Sequence, residues 1–99
     1  MNTANLQLEG LLVAMASLHR QLVAKGVLTA EEIDHALAVC EATTTGDDRA
    51  AEELSPANRD AIAFPIRLLR IANEGTAPLE FGALARLVGK TKGKYADQE

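Results

Sequence analysis

Arg67 and Arg70 are the residues of this 99-residue chain whose type and spacing best suit ligand binding. They are the only polar residues in 61–72, and their spacing of three places them on one helix face. Guanidinium forks bind carboxylates or phosphates in a bidentate manner. Because Pro65 predicts a kink or break that opens a gap, one hypothesis is a small-anion sensor with a pocket near Pro65. In the alternative the pair is a solvated strip, with Arg70 near Glu74 and Arg67 near an acidic residue of the second helix.

Glu32 and His35 have the Glu-x-x-His spacing of di-iron helices, so a metal protein is a further alternative. Thr29 and Glu32 also form the pattern of a capping box, which engages the Glu32 carboxylate at a helix end. The sites of di-iron proteins lie in the middle of their helices instead. We therefore expect no metal and no other cofactor.

The single cysteine, Cys40, excludes an intrachain disulfide and fits a cytoplasmic location. Helical spacing places Cys40 with Ile33 and Leu37 on an apolar face, where free cysteine packs as a small hydrophobic residue. The run Gly89-Lys90-Thr91 is not a phosphate loop, since Leu84 stands where that motif needs glycine. No residue set has the geometry of a catalytic constellation, so we expect no enzymatic activity.

Leucines at alternating spacings of three and four indicate how the first helix, which is expected to run to about Lys25, associates. This spacing is typical of a helix that packs nearly parallel to another. With Leu12 and His19 at its side, the apolar arc is wider than one partner helix covers, so we predict a homodimer interface here. The predicted interface residues are Leu8, Leu11, Met15, Leu18 and Leu22.

The remaining elements predict an all-α fold, a small irregular bundle of three main helices and one or two short ones. A capping box at Thr29 starts the second helix, which should form a hairpin with the first. Ser55-Pro56 starts the third helix, and Gly75 closes it. A short fourth helix is expected over 79–89. Residues 1–89 then form one domain, residues 90–99 a flexible polar tail, and residues 47–54 either a short helix or a loop.

Composition narrows the choice of partners. The net charge of −4 and the shortage of aromatic residues, at 3%, argue against binding to nucleic acid. Residues 1–9 lack a signal-peptide pattern, and no apolar run approaches the length of a membrane span. The basic residues Lys90, Lys92 and Lys94 have two open roles, which are contact with phosphates and docking on the acidic half of a neighbouring molecule.

The stretch 12–38, which includes Lys25-Gly26-Val27-Leu28-Thr29, resembles a helical hairpin found in many proteins, for instance the N-terminal hairpin of nitrile hydratase subunits. The resemblance covers about a quarter of the chain. It implies a helix that ends at a glycine and a second helix that begins at a capping residue. The cysteine cluster that holds the metal of that family is absent from this sequence, so the resemblance implies no catalytic residue.

Taken together, the sequence predicts a non-enzymatic interaction or regulatory module that self-associates through helix–helix contacts. Its expected partners are a second copy of the chain and, as a further option, another protein. A small anionic ligand at Arg67 and Arg70 stays an alternative.

Overall fold

A computed structural model of the chain describes residues 3–46 and 55–96, and these residues form four α-helices and no strand. The all-α prediction is therefore confirmed. Segment 47–54, for which the sequence predicts either a short helix or a loop, lies outside the described residues, as does 97–99 of the predicted tail. The helices are α1 (Thr3–Ala24), α2 (Ala30–Thr45), α3 (Pro56–Asn73) and α4 (Phe81–Ala96).

Helix α3 lies at the centre of the fold and contacts each of the other three helices. It supplies Leu68, which is fully buried, and α4 supplies Leu84, its fully buried counterpart. Leu12 and Ala16 of α1 complete this apolar layer. Helix α2 adds the buried Ile33 and the half-buried Leu37. The core is therefore built from aliphatic side chains, as expected for a chain so poor in aromatic residues.

The connection between α1 and α2 has the local features that the sequence predicted. Gly26 adopts a φ of 74°, a left-handed conformation that glycine reaches without a steric penalty. The N–H groups of Gly26 and Val27 donate to the carbonyls of Val23 and Leu22, which is a Schellman motif. Thr29 then caps α2, because its hydroxyl accepts from the N–H of Glu32 and its own N–H donates to the Glu32 carboxylate. The predicted stop and capping box are confirmed.

The predicted pairing of the first two helices is wrong. Helices α1 and α2 each pack against α3 and make few contacts with each other. The reason is the position of their core residues: Leu12 and Ala16 in α1 and Leu37 in α2 pack in or against the cluster that α3 and α4 build. A tight turn thus joins two helices that each pack against α3.

Ser55 caps α3 as predicted, with its hydroxyl accepting from the N–H of Asn58 and Pro56 at the first helical position. The sequence predicted a kink or a break at Pro65. The helix continues through Pro65, so the predicted break is wrong. Proline costs about 3 kcal/mol inside a helix. The buried residues on either side, among them Ala63 and Leu68, offset that cost because they anchor both halves of α3 in the core.

Helix α4 begins at Phe81 and continues to Ala96, whereas the sequence predicted a stop at Gly89. Gly89 does not take the left-handed conformation that ends α1 at Gly26 and follows α3 at Gly75. With no such cap, the helical backbone continues into the segment that was expected to be a tail.

Replacing Thr29 with alanine removes the side-chain half of the capping box. We expect the free energy of unfolding to fall by about 1 kcal/mol, because the N–H of Glu32 loses its acceptor. Urea denaturation followed by circular dichroism measures this change.

The matched control is Thr43→Ala. The Thr43 hydroxyl also bonds to the backbone, donating to the Val39 carbonyl, but it lies in the last turn of the same helix and satisfies no orphan N–H donor. We expect a change below about 0.5 kcal/mol for this variant. Equal effects of the two substitutions would contradict the importance of the cap.

Candidate functional site

The five predicted interface residues of α1 form one continuous apolar face, which we call the α1 seam. Four of them are exposed in the single chain: Leu8 is 47% exposed, Leu11 56%, Met15 37% and Leu18 64%. Leu22, the fifth, is half-buried. Soluble proteins rarely expose a contiguous row of large apolar side chains unless it binds something. The homodimer itself stays a prediction.

The α1 seam is exposed because α1 has two adjacent apolar faces and α3 covers only one. Leu12 and Ala16 are buried in the core, at 4% and 1% exposure. At 100° per residue, the face that they define is about 100° away from the centre of the seam. One neighbouring helix covers an arc of roughly that width. The second face is therefore left in solvent.

No charge interrupts the α1 seam. Glu9 and Arg20 are the only charged residues of α1, and both lie off the seam. Arg20 turns towards the core side, where its guanidinium donates to the carbonyls of Ala72 at 3.1 and 3.2 Å and of Ala77 at 2.6 Å. The seam can thus be covered by another apolar surface without burying an unpaired charge.

An apolar groove adjoins the N-terminal end of the α1 seam, where the seam residue Leu8 forms part of its wall. The Phe64 and Phe81 rings, whose centroids are 6.2 Å apart, form the opposite wall. The groove has a volume of about 250 Å³, and its lining residues are Asn5, Leu8, Glu9, Leu12, Phe64 and Phe81. It therefore offers a recess beside an otherwise convex helix.

The turn after α1 carries apolar surface at the opposite end of the seam. Val27 is 64% exposed, and Leu28 beside it is also exposed. In the Schellman motif Val27 lies one turn beyond Leu22, so these residues continue the apolar surface beyond α1. The seam thus has a recess at its N-terminal end and an exposed apolar turn at its C-terminal end.

Arg67 and Arg70 lie in an ion-pair network between α3 and α2. Arg67 is buried, and its Nε lies 3.0 Å from Glu41 and its Nη1 3.8 Å from Asp60. Arg70 binds Asp34 through two nitrogens, at 2.8 and 3.3 Å, and lies 3.6 Å from Glu41. The expected acidic partner of Arg67 on the second helix is thus Glu41, whereas Arg70 pairs with Asp34.

A second groove, of about 240 Å³, lies beside this network between α3 and α4. Arg67, Asp60 and Phe64 line one side, and residues 85–89 of α4 contribute to the other. Arg70 is not among its lining residues. Since the Arg67 guanidinium is already paired with carboxylates, the groove has little net positive charge with which to attract an anion.

The remaining candidates are spread over α2. Glu32 is engaged in the capping box and His35 is exposed. No group of three or more His, Cys, Asp or Glu side chains that could hold a metal ion occurs in residues 3–46 and 55–96. Cys40 is exposed, so the prediction that it packs as a core residue is wrong. Helix α2 buries only Ile33 fully, and its apolar face is too narrow to include Cys40.

Two polar residues that hold the site in place were missed by the sequence analysis. Arg20 ties α1 to the end of α3, and the Asn73 amide donates to the Ala30 carbonyl at 2.8 Å, which ties α3 to the start of α2. The one available signal was that Arg20 is the only cation within α1. Nothing in its spacing identifies backbone carbonyls as its partners.

Within the described helices, none has both the length and the apolar character needed to cross a membrane. Comparison with protein-family models, with curated proteins and with solved structures finds no match to this chain.

Replacing Arg20 with alanine removes three donations to carbonyl oxygens at the junction of α1, α3 and the loop before α4. We expect a loss of about 2 kcal/mol in the free energy of unfolding, since these are hydrogen bonds from a charged donor at a half-buried position. Chemical denaturation measures the change. Arg86→Ala, at an exposed position of α4, is the control and should change stability by less than about 0.5 kcal/mol. If the two variants are equally stable, the Arg20 junction is not important for stability.

Replacing Glu41 with glutamine tests the network around Arg67. We expect a loss of about 2 kcal/mol, because the buried guanidinium of Arg67 loses the charge of its nearest carboxylate while Asp60 stays in place. Thermal and chemical unfolding report the change. Glu31→Gln removes the same charge from an exposed position of α2 and should be close to neutral. A neutral Glu41→Gln variant would mean that the ion pair contributes nothing.

Proposed function

We propose that this chain is a non-enzymatic protein-interaction module that associates through the α1 seam, with a second copy of itself as its first partner. The observation that supports the proposal is the uncharged row of exposed side chains at Leu8, Leu11, Met15 and Leu18. A twofold symmetric pair presents the same apolar face from both partners, so each seam finds a matching surface in the other copy.

The energetics favour a weak and reversible contact. The exposed fractions of the four residues together amount to about two complete side chains per copy. Burying them fully is worth about 3–6 kcal/mol per copy, or roughly twice that for a pair. Association costs about 4–15 kcal/mol in lost freedom of motion. The gain and the cost are of similar size, so the complex depends on every leucine of the seam.

The charges of the protein are arranged in a way that permits this contact. The acidic residues that give the chain its net charge of −4 are concentrated outside α1, for example Glu31, Asp34 and Glu41 on α2. Two copies that meet through α1 bring their neutral faces together. Long-range repulsion between two acidic molecules is then screened over about 8 Å at physiological salt.

The proposed function is tested by placing a charge in the seam. Leu11→Glu buries a carboxylate without a partner in any complex that covers the seam, so we expect self-association to be lost. Sedimentation equilibrium from low micromolar to millimolar concentration measures the monomer–dimer balance of both chains.

Leu6→Glu is the matched control. Leu6 is 52% exposed, close to the value for Leu11, but it lies about 140° around α1 from Leu11 and off the seam. We expect this variant to self-associate as the parent chain does, and circular dichroism should show both variants folded. A parent chain that stays monomeric throughout, or equal behaviour of the two variants, would overturn the proposal.

A further inference from the structure

The two ends of the α1 seam differ in shape, and this difference favours one orientation of a pair. The N-terminal end has the groove between Leu8, Phe64 and Phe81. The C-terminal end has the exposed apolar turn of Val27 and Leu28. In a parallel pair, groove meets groove and turn meets turn. In an antiparallel pair, the exposed apolar turn of each copy meets the recess of the other.

The charge at the C-terminal end of the α1 seam also favours an antiparallel pair. Lys25 follows Leu22 by three residues, so it lies just beyond the C-terminal end of the α1 seam on the same side of the helix, and it is exposed. A parallel pair places the two Lys25 ammonium groups opposite each other. Like charges at facing positions destabilise a helix pair.

An antiparallel pair removes that repulsion. The two Lys25 groups then lie at opposite ends of the contact, separated by far more than the screening length of about 8 Å. Like-charge juxtaposition across a contact is costly, and its avoidance helps to fix the orientation of partners.

From these observations we infer that the second copy packs its α1 antiparallel to the first. In the register that keeps the seam residues in contact, Leu11 of each copy lies opposite Leu22 of the other, and Met15 lies opposite Leu18. Val27 of each copy then reaches the Phe64–Phe81 groove of its partner. This inference rests on the proposed function, and it adds the orientation and the occupant of the groove.

Disulfide trapping distinguishes the two orientations. In a Cys40→Ser background, Leu11→Cys and Leu22→Cys chains are prepared separately and then mixed under mild oxidation. Residues 11 and 22 are about 16 Å apart along one helix, beyond the reach of a disulfide, which needs Cα atoms within about 7 Å. We expect covalent dimers in the mixture and few in either variant alone. A parallel pair gives the opposite result, with each variant linking to itself.

A spin label on a Gln7→Cys, Cys40→Ser chain provides a second measurement that leaves the seam leucines intact. Gln7 is exposed and flanks the seam. In the antiparallel register the two labelled positions are about 28 Å apart along the helix axis, whereas in a parallel pair they are neighbours. A short distance between labels, or self-linking of the Leu11→Cys chain, would overturn the orientation.

Failure of this inference and failure of the proposed function give different results. If sedimentation shows no dimer of the parent chain, both the proposed function and the antiparallel orientation are wrong. If dimers form but link 11 to 11 or bring the labels close together, only the antiparallel arrangement is wrong.

Discussion

The burial of α3 is the constraint on which the rest of this structure depends. Leu68, Leu69, Ile71 and Ala72 all lie in one segment of that helix, and α1 and α4 pack around them to form the apolar core. Each surrounding helix needs only one narrow apolar stripe to reach this segment. A bundle organised around one central helix therefore leaves the outer faces of its neighbours uncovered, and α1 is the neighbour whose outer face is apolar.

Polar contacts fix the surrounding helices where aliphatic packing alone would leave them free to slide. Leucine and alanine surfaces fit one another in several registers, so shape alone specifies little. Arg20 reaches the carbonyls of Ala72, near the end of α3, and of Ala77, in the loop before α4, and a shift of α1 by one turn would remove both contacts. The pairs of Arg67 and Arg70 with acids of α2 act in the same way on the other side of α3. The two arginines that most resembled a ligand site thus hold α2 in place.

The sequence predicted features that depend on local chemistry and missed those that depend on distant partners. The Thr29 capping box, the Ser55 cap and the Gly26 stop were all predicted correctly, because each involves residues within a few positions of one another. The pairing of α1 with α2 was wrong, since it depended on which face each helix buries against α3. The predicted stop at Gly89 was wrong because Gly89 does not adopt the left-handed conformation with which glycine ends a helix. Arg20 was missed because its acceptors are more than 50 residues away.

The same distinction explains why the regular spacing of the α1 seam could be recognised in the sequence, whereas the homodimer proposed there stays a prediction. A helix face that packs against no other part of its own chain keeps the simple periodicity of an isolated amphipathic helix. Core residues such as Leu12, in contrast, must fit several neighbouring side chains at once. The two α1 residues that are buried in the core differ in size, since one is Leu12 and the other Ala16, because each fits the surface of the neighbouring helices. The seam has large residues at every position from Leu8 to Leu22, the spacing that is typical of a helix packing against another helix. Regularity on this exposed face therefore supports the proposed pairing of two α1 helices and does not require a more complex partner.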